Sequence, residues 1–118
     1  METQEYRAES PYTRYARPYL DKERIADTPV GVAVFRYEKG QVGPEHQHPQ
    51  VEVYYTIRGE GSVEFGGRAY EMSPGSIVYI PPNLDHETRN TGDEDLEFIA
   101  IFVPPLDFES IKRWEKVS

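Results

Sequence analysis

Two stretches decide how this chain is read: GQVGPEHQHPQVEVYYTIRG, residues 40–59, and GSIVYIPPNLDHETRN, residues 75–90. Together they hold all three histidines of the chain, His46, His48 and His86. His46 and His48 are two residues apart, and Glu52 follows four residues after the second. Side chains alternate across an extended strand, so positions 46, 48 and 52 share parity and can point to one side. Two imidazoles and a carboxylate on one face suit a borderline divalent metal. His86 opens another β-rich run just after the Ile80-Pro81-Pro82-Asn83 turn, where a sheet folding over the first brings it opposite.

Outward from these stretches the β-rich texture continues. Short runs fall at Val30–Tyr37, Val51–Arg58, Ser62–Phe65, Ser76–Ile80, His86–Asn90 and Leu96–Val103. Gly, Pro, Asn and Asp punctuate them, and no sustained helical period interrupts. Such spacing predicts an all-β antiparallel sandwich or barrel. Gly66-Gly67, between Val63-Glu64-Phe65 and Arg68-Ala69-Tyr70, predicts a two-residue hairpin. Phe98, Ala100 and Phe102 alternate with Ile99, Ile101 and Val103, so that run is apolar on both faces and needs cover for the second.

The ends differ from the middle. Residues 1–29 are polar and Tyr-rich, and Pro11, Pro18 and Pro29 block a long helix. They read as an N-terminal arm, either a tail that wraps over the barrel or is partly disordered, or an arm that covers an open edge or crosses to a partner subunit. Residues 30–105 form the barrel. Residues 106–118 form a tail with a short C-terminal helix over Phe108–Glu115, capped by Asp107, with Phe108, Ile111 and Trp114 on one side.

The 118 residues allow one domain. Thirteen Lys and Arg against 21 Asp and Glu leave a formal charge of −8. That balance argues against nucleic acid and anionic membranes as partners. The absence of cysteine removes disulfides, thiolate metal sites and a cysteine nucleophile. No apolar run approaches the ~20 residues that span a bilayer, and the charged start lacks a secretory leader. A cytoplasmic protein is expected.

The spacing carries more than the residue types. Gly40, His46, His48, Glu52 and Gly59, then Gly75, Pro81, Asn83, His86 and Asn90, resemble the two motifs of the cupin superfamily, G-x5-H-x-H-x3-E-x6-G and G-x5-P-x-G-x2-H-x3-N. Nine of the ten fixed positions match, and Asn83 stands where the pattern has Gly. That position calls for a positive φ, which Asn tolerates best after Gly. The resemblance covers residues 30–105. It implies a jelly-roll β-barrel with a metal held inside by His46, His48, Glu52 and His86.

Three imidazoles and a carboxylate leave an octahedral divalent ion with two adjacent positions open to substrate, water or dioxygen. Mn, Fe, Ni, Co and Zn all suit these ligands. The expected function is that of a metal-dependent enzyme acting on a small polar oxygenated substrate. Dioxygenation, decarboxylation, and isomerase or lyase chemistry through a metal-bound enolate are the candidate reactions. The alternative is a non-catalytic small-molecule-binding or sensor module. Tyr54 shares parity with Glu52 and is the candidate catalytic acid. Gln50, of the same parity, and Arg36, if turned inward as an anion anchor, are candidate pocket residues. The doubly apolar strand and the arm predict a homodimer.

Overall fold

The computed structural model describes residues 3–9, 13–43 and 46–118. These form ten strands: β1 (Tyr6–Ala8), β2 (Arg14–Leu20), β3 (Gly31–Tyr37), β4 (Val51–Arg58), β5 (Gly61–Phe65), β6 (Arg68–Met72), β7 (Ile77–Ile80), β8 (His86–Asn90), β9 (Leu96–Val103) and β10 (Glu115–Lys116). A seven-stranded sheet runs in the order β10-β1-β2-β3-β9-β4-β7, and a three-stranded sheet in the order β6-β5-β8. All pairings are antiparallel. The all-β jelly-roll expectation stands.

Alternation explains which residues fill the space between the sheets. On β9, Leu96, Phe98, Ala100 and Phe102 are buried, and on β4, Glu52, Tyr54 and Thr56. His86, Thr88 and Asn90 do the same from β8. Phe98 sits at the centre, its ring 4.5 Å from that of Tyr54 and 5.6 Å from those of Phe35 and Tyr37. Two polar groups of the site, Glu52 and His86, therefore occupy core positions of the strand pattern.

The turn chemistry follows the sequence closely. Gly66 and Gly67 both have positive φ, 59° and 76°, and join β5 to β6 with Phe65 opposite Arg68. Asn83 takes φ 58°, the only non-glycine residue to do so among the described residues. Its backbone N–H donates to the His48 carbonyl at 2.8 Å.

Both ends contribute strands to the large sheet. Residues 14–20 are a full strand of the large sheet, with Pro18 opposite Ala33 and a register shift between Pro18 and Leu20. The arm thus pairs along β3, covering what would be its open edge; Pro11 and Tyr12 lie outside the described residues. The short C-terminal helix is corrected to a single 3-10 turn at Ile111–Arg113, followed by β10 paired with β1. The spacing of Phe108, Ile111 and Trp114 is three, the period of a 3-10 turn as much as one face of an α-helix. Pairing with β1 then pulls the chain into extended form from Trp114 onward. Asp107 does act locally, its Oδ1 accepting from the Glu109 N–H at 2.9 Å.

Asn83 gives a direct stability test. Asn83→Gly should leave stability within about 0.5 kcal/mol, whereas Asn83→Ala should cost about 1 kcal/mol, because alanine lacks the short polar side chain that lets Asn adopt the left-handed region. Urea unfolding of the two variants measures the difference.

Candidate metal centre

Glu52 reaches the centre from β4, as the parity of that strand requires. His46 and His48 do not share a strand with it. Both precede β4, and His46 forms an isolated bridge with His86, each N–H donating to the other's carbonyl at 3.1 and 2.9 Å. Gly43 and Gln41 also bond to β8, at Thr88 and Asn90. The approach to the site is thus zipped along β8, and this pairing, rather than strand alternation, brings His46 to His86.

His46, His48, Glu52 and His86 each offer a ligand atom, and these atoms all lie within 4.8 Å of one another. The ring centroids of His46 and His86 are 4.3 Å apart, and those of His48 and His86 5.2 Å. Glu52 and His86 are almost wholly buried, while His46 is exposed.

The hydrogen bonds fix which nitrogen faces inward. The His48 Nδ1–H donates to the Gln50 carbonyl at 3.0 Å, and the His86 Nδ1–H to the Leu84 carbonyl at 3.1 Å. Each ring's Nε2 then points at Glu52 Oε1, at 3.1 Å from His48 and 3.2 Å from His86. His86 Nε2 is buried without a hydrogen-bond partner. In neutral rings these nitrogens carry lone pairs, so they meet a carboxylate oxygen without a cation between them. A shared proton or a metal ion relieves that conflict, and backbone carbonyls behind the imidazoles are the usual outer support of metal-bound histidine. The donor set fits a divalent ion.

Electrostatics agree. Burial by itself would raise the Glu52 pKa, but His48 and His86 outweigh it and hold the carboxyl below its usual range. Burial opposes charge on His86, yet Glu52 and the Leu84 carbonyl prevail and raise its pKa.

A cavity of about 240 Å³ opens beside the cluster, room for roughly eight waters. His46 and Glu52 line it together with Tyr37, Tyr54 and Phe98, and Arg14 and Trp114 also border it. Tyr54 is inward as expected, with its hydroxyl 3.0 Å from Thr88 Oγ1, and burial raises its pKa.

Two candidate pocket residues are elsewhere. Arg36 faces away from the cavity, pairing with Glu5 and Asp95 at 3.2 Å and stacking over Tyr15 at 3.7 Å. It is corrected to a surface tie, because its neighbour Tyr37 takes the inward position on β3. Gln50 does not line the cavity; its carbonyl orients His48, and its buried Oε1 lacks a partner. Sequence reading missed Arg14, Thr88 and Trp114. The available signal for Arg14 was its parity with Ala16 and Pro18, visible only once residues 14–20 are taken as a strand.

Comparison with known proteins agrees with this architecture. The family described as the cupin domain matches residues 33–102. A glucose-6-phosphate isomerase of Thermococcus onnurineus is 38% identical over 111 residues, covering 80% of this chain and 59% of that protein. One of Thermococcus litoralis is 39% identical over 77 residues, 53% of this chain and 40% of that protein. The chain therefore spans roughly half the length of these relatives. Among solved structures, a predicted oxalate decarboxylase of Thermotoga maritima superposes with TM-score 0.78 at 24% identity, covering 87% of this chain and 94% of that one. A cupin 2 conserved barrel protein of Rhodopseudomonas palustris gives 0.75 at 21%, covering 89% and 74%. No described helix is long and apolar enough to cross a membrane.

Metal uptake should release protons, since the ion displaces a proton from His86, whose pKa is raised, and apparent affinity should rise with pH. Calorimetry in buffers of different ionisation heat checks this. His48→Ala or His86→Ala should weaken binding beyond the about 10–100-fold typical of outer-shell changes.

The metal-free protein should behave oppositely in stability. A raised His86 pKa stabilises the fold below the ordinary value of about 6.5, and that contribution is lost as pH rises through the folded-state value. Thermal unfolding in chelator should therefore weaken across this range, and added metal should reverse the loss.

Proposed function

We propose that this chain, which belongs to the cupin domain family, is a metal-dependent enzyme that interconverts small hydroxy-aldehydes and hydroxy-ketones by moving a proton between adjacent carbons. The observation that carries this reading is the His46, His48, Glu52 and His86 cluster beside a cavity that His46 and Glu52 line. The named activity of the Thermococcus relatives supports isomerisation over the other reactions.

A divalent ion held by the four side chains would polarise the carbonyl and hydroxyl oxygens of such a substrate. The remaining work falls to the chain. Burial keeps the Tyr54 and Tyr37 hydroxyls protonated, so they serve as donors to substrate oxygens. Phe98 and Phe102 present apolar walls that limit water around the carbon that loses its proton. Thr88 holds the Tyr54 hydroxyl in place.

We also infer a homodimer formed through the outer face of the large sheet. Ile77 and Tyr79 on β7 and Tyr55 on β4 are exposed there, at 67, 57 and 41%. Val103 on β9 continues the patch. Clustered apolar exposure of this kind marks an association surface. Ile77→Lys with Tyr79→Lys should yield monomers in sedimentation; an unchanged mass would place the contact elsewhere.

Proton transfer between carbons leaves an isotopic trace. Metal-loaded protein in D2O should exchange the carbon-bound proton of a hydroxy-ketone or of glucose 6-phosphate, read by proton NMR. Oxygen uptake without exchange would favour a dioxygenase, and saturable binding without either would favour a binding module. Tyr54→Phe should slow the exchange roughly a hundredfold with metal content unchanged.

A further inference from the structure

Gly43 sits where the approach to the metal centre meets the cavity. It precedes His46 by three residues and lines the cavity together with Tyr37, Tyr54 and Thr88. It holds none of the ten fixed positions of the two motifs, and its φ is not positive, so backbone conformation does not call for glycine here. Space does. A Cβ built at this position would overlap the Tyr37 hydroxyl oxygen and lie 3.1 Å from Cζ and 3.3 Å from Cε2 of the same ring. Gly59 and Gly61 are crowded too, but by the Asp95 and Arg89 carbonyls and the Leu96 side chain, the ordinary close approach of neighbouring strands. At Gly43 the three nearest atoms are instead the functional end of one cavity side chain.

The backbone that carries Gly43 is tied down. Its N–H donates to the Thr88 carbonyl at 2.8 Å, and Gln41 and His46 bond to Asn90 and His86 of the same strand. An added methyl group therefore presses on Tyr37 rather than moving the strap. Tyr37 reaches in from β3 and Tyr54 from β4, on either side of β9. Both pack on Phe98, at 5.6 and 4.5 Å between ring centres. Thr88 links the two. Its carbonyl fixes Gly43, and its Oγ1 lies 3.0 Å from the Tyr54 hydroxyl. One residue of β8 thus holds Tyr54 directly and, through Gly43, the place where the Tyr37 hydroxyl stands. Burial, reinforced by the Glu52 charge, opposes ionisation of both phenols, so each keeps a proton to donate.

We propose that Gly43 is a positioning residue of this cavity: its missing side chain makes the room in which the Tyr37 hydroxyl stands to donate to a bound hydroxy-ketone. The proposal rests on the reading of the cavity given above and deepens it, because it ties substrate binding to a position outside the ligand set. Glycine serves here by close approach alone, and a single methyl group at position 43 displaces the hydroxyl while leaving the four metal ligands in place.

A double-mutant cycle separates positioning from packing. Trp114 borders the cavity and is the only tryptophan in the chain, so its fluorescence reports binding independently of turnover. The metal-loaded full chain and its Gly43→Ala, Tyr37→Phe and double variants are titrated with hydroxyacetone. Each single change should weaken binding roughly three- to tenfold, with metal content unchanged. The double variant should bind no more weakly than the weaker single one, since both remove the same hydroxyl. In thermal unfolding, Tyr37→Phe should restore part of the stability that Gly43→Ala loses, because it deletes the overlapped oxygen. Losses that multiply, wild-type binding in either single variant, loss of metal in Gly43→Ala, or no saturable binding by the wild type overturns the proposal. Tyr37→Phe tests it even where Gly43→Ala does not fold. Coupled losses in binding without deuterium exchange would sustain the role of Gly43 and remove the isomerase reading. Exchange by the wild type with losses that multiply would do the reverse.

Discussion

The organisation of this protein depends on one electrostatic constraint: a buried carboxylate oxygen facing two imidazole nitrogens whose opposite N–H groups are committed to backbone carbonyls. Glu52 Oε1 is within 3.2 Å of both His48 and His86, and the Gln50 and Leu84 carbonyls hold the rings so that they cannot turn away. Desolvating a carboxylate is expensive unless positive charge accompanies it. The fold therefore keeps a place for a cation inside its core. It does so at positions that strand alternation would otherwise give to apolar side chains.

The rest of the architecture serves that arrangement. β4 and β8 belong to different sheets, so Glu52 and His86 meet only because the two sheets face each other. The segment leading into β4 bonds along β8, which delivers His46 from the open side. Phe98, Tyr54 and Phe102 fill the space beyond the cluster and leave a cavity rather than a solid core. The site thus combines a rigid polar floor with apolar walls, an environment in which polar interactions with a ligand are strong.

Much of this was legible in the sequence because its causes are local. The bounds of β4, β8 and β9 follow from alternation and turn residues, and Asn83 takes the positive φ that its position in the motif requires. The four ligand candidates were named by spacing and family resemblance, although parity was the wrong reason for His46. Its placement depends on a bridge to His86 forty residues away, which no local pattern encodes. The terminal strands were hidden for a similar reason. Pro18 reads as a strand breaker, yet it is accommodated in β2 beside a register shift. Phe108, Ile111 and Trp114 fit two helical periods equally, and only pairing of β10 with β1 decides between them. Arg36 and Tyr37 could not both face inward, and the ion pairs with Glu5 and Asp95 that select Tyr37 join distant parts of the chain.

The central claim is that these three imidazoles and one carboxylate bind a single divalent ion directly. X-ray absorption on the metal-loaded protein tests it without reference to any substrate. Nitrogen and oxygen neighbours are expected near about 2.0–2.2 Å, with outer scattering from three imidazole rings that falls to two when His46, His48 or His86 is replaced singly by Ala. A bound ion without imidazole scattering, or with scattering that none of these replacements alters, would contradict it.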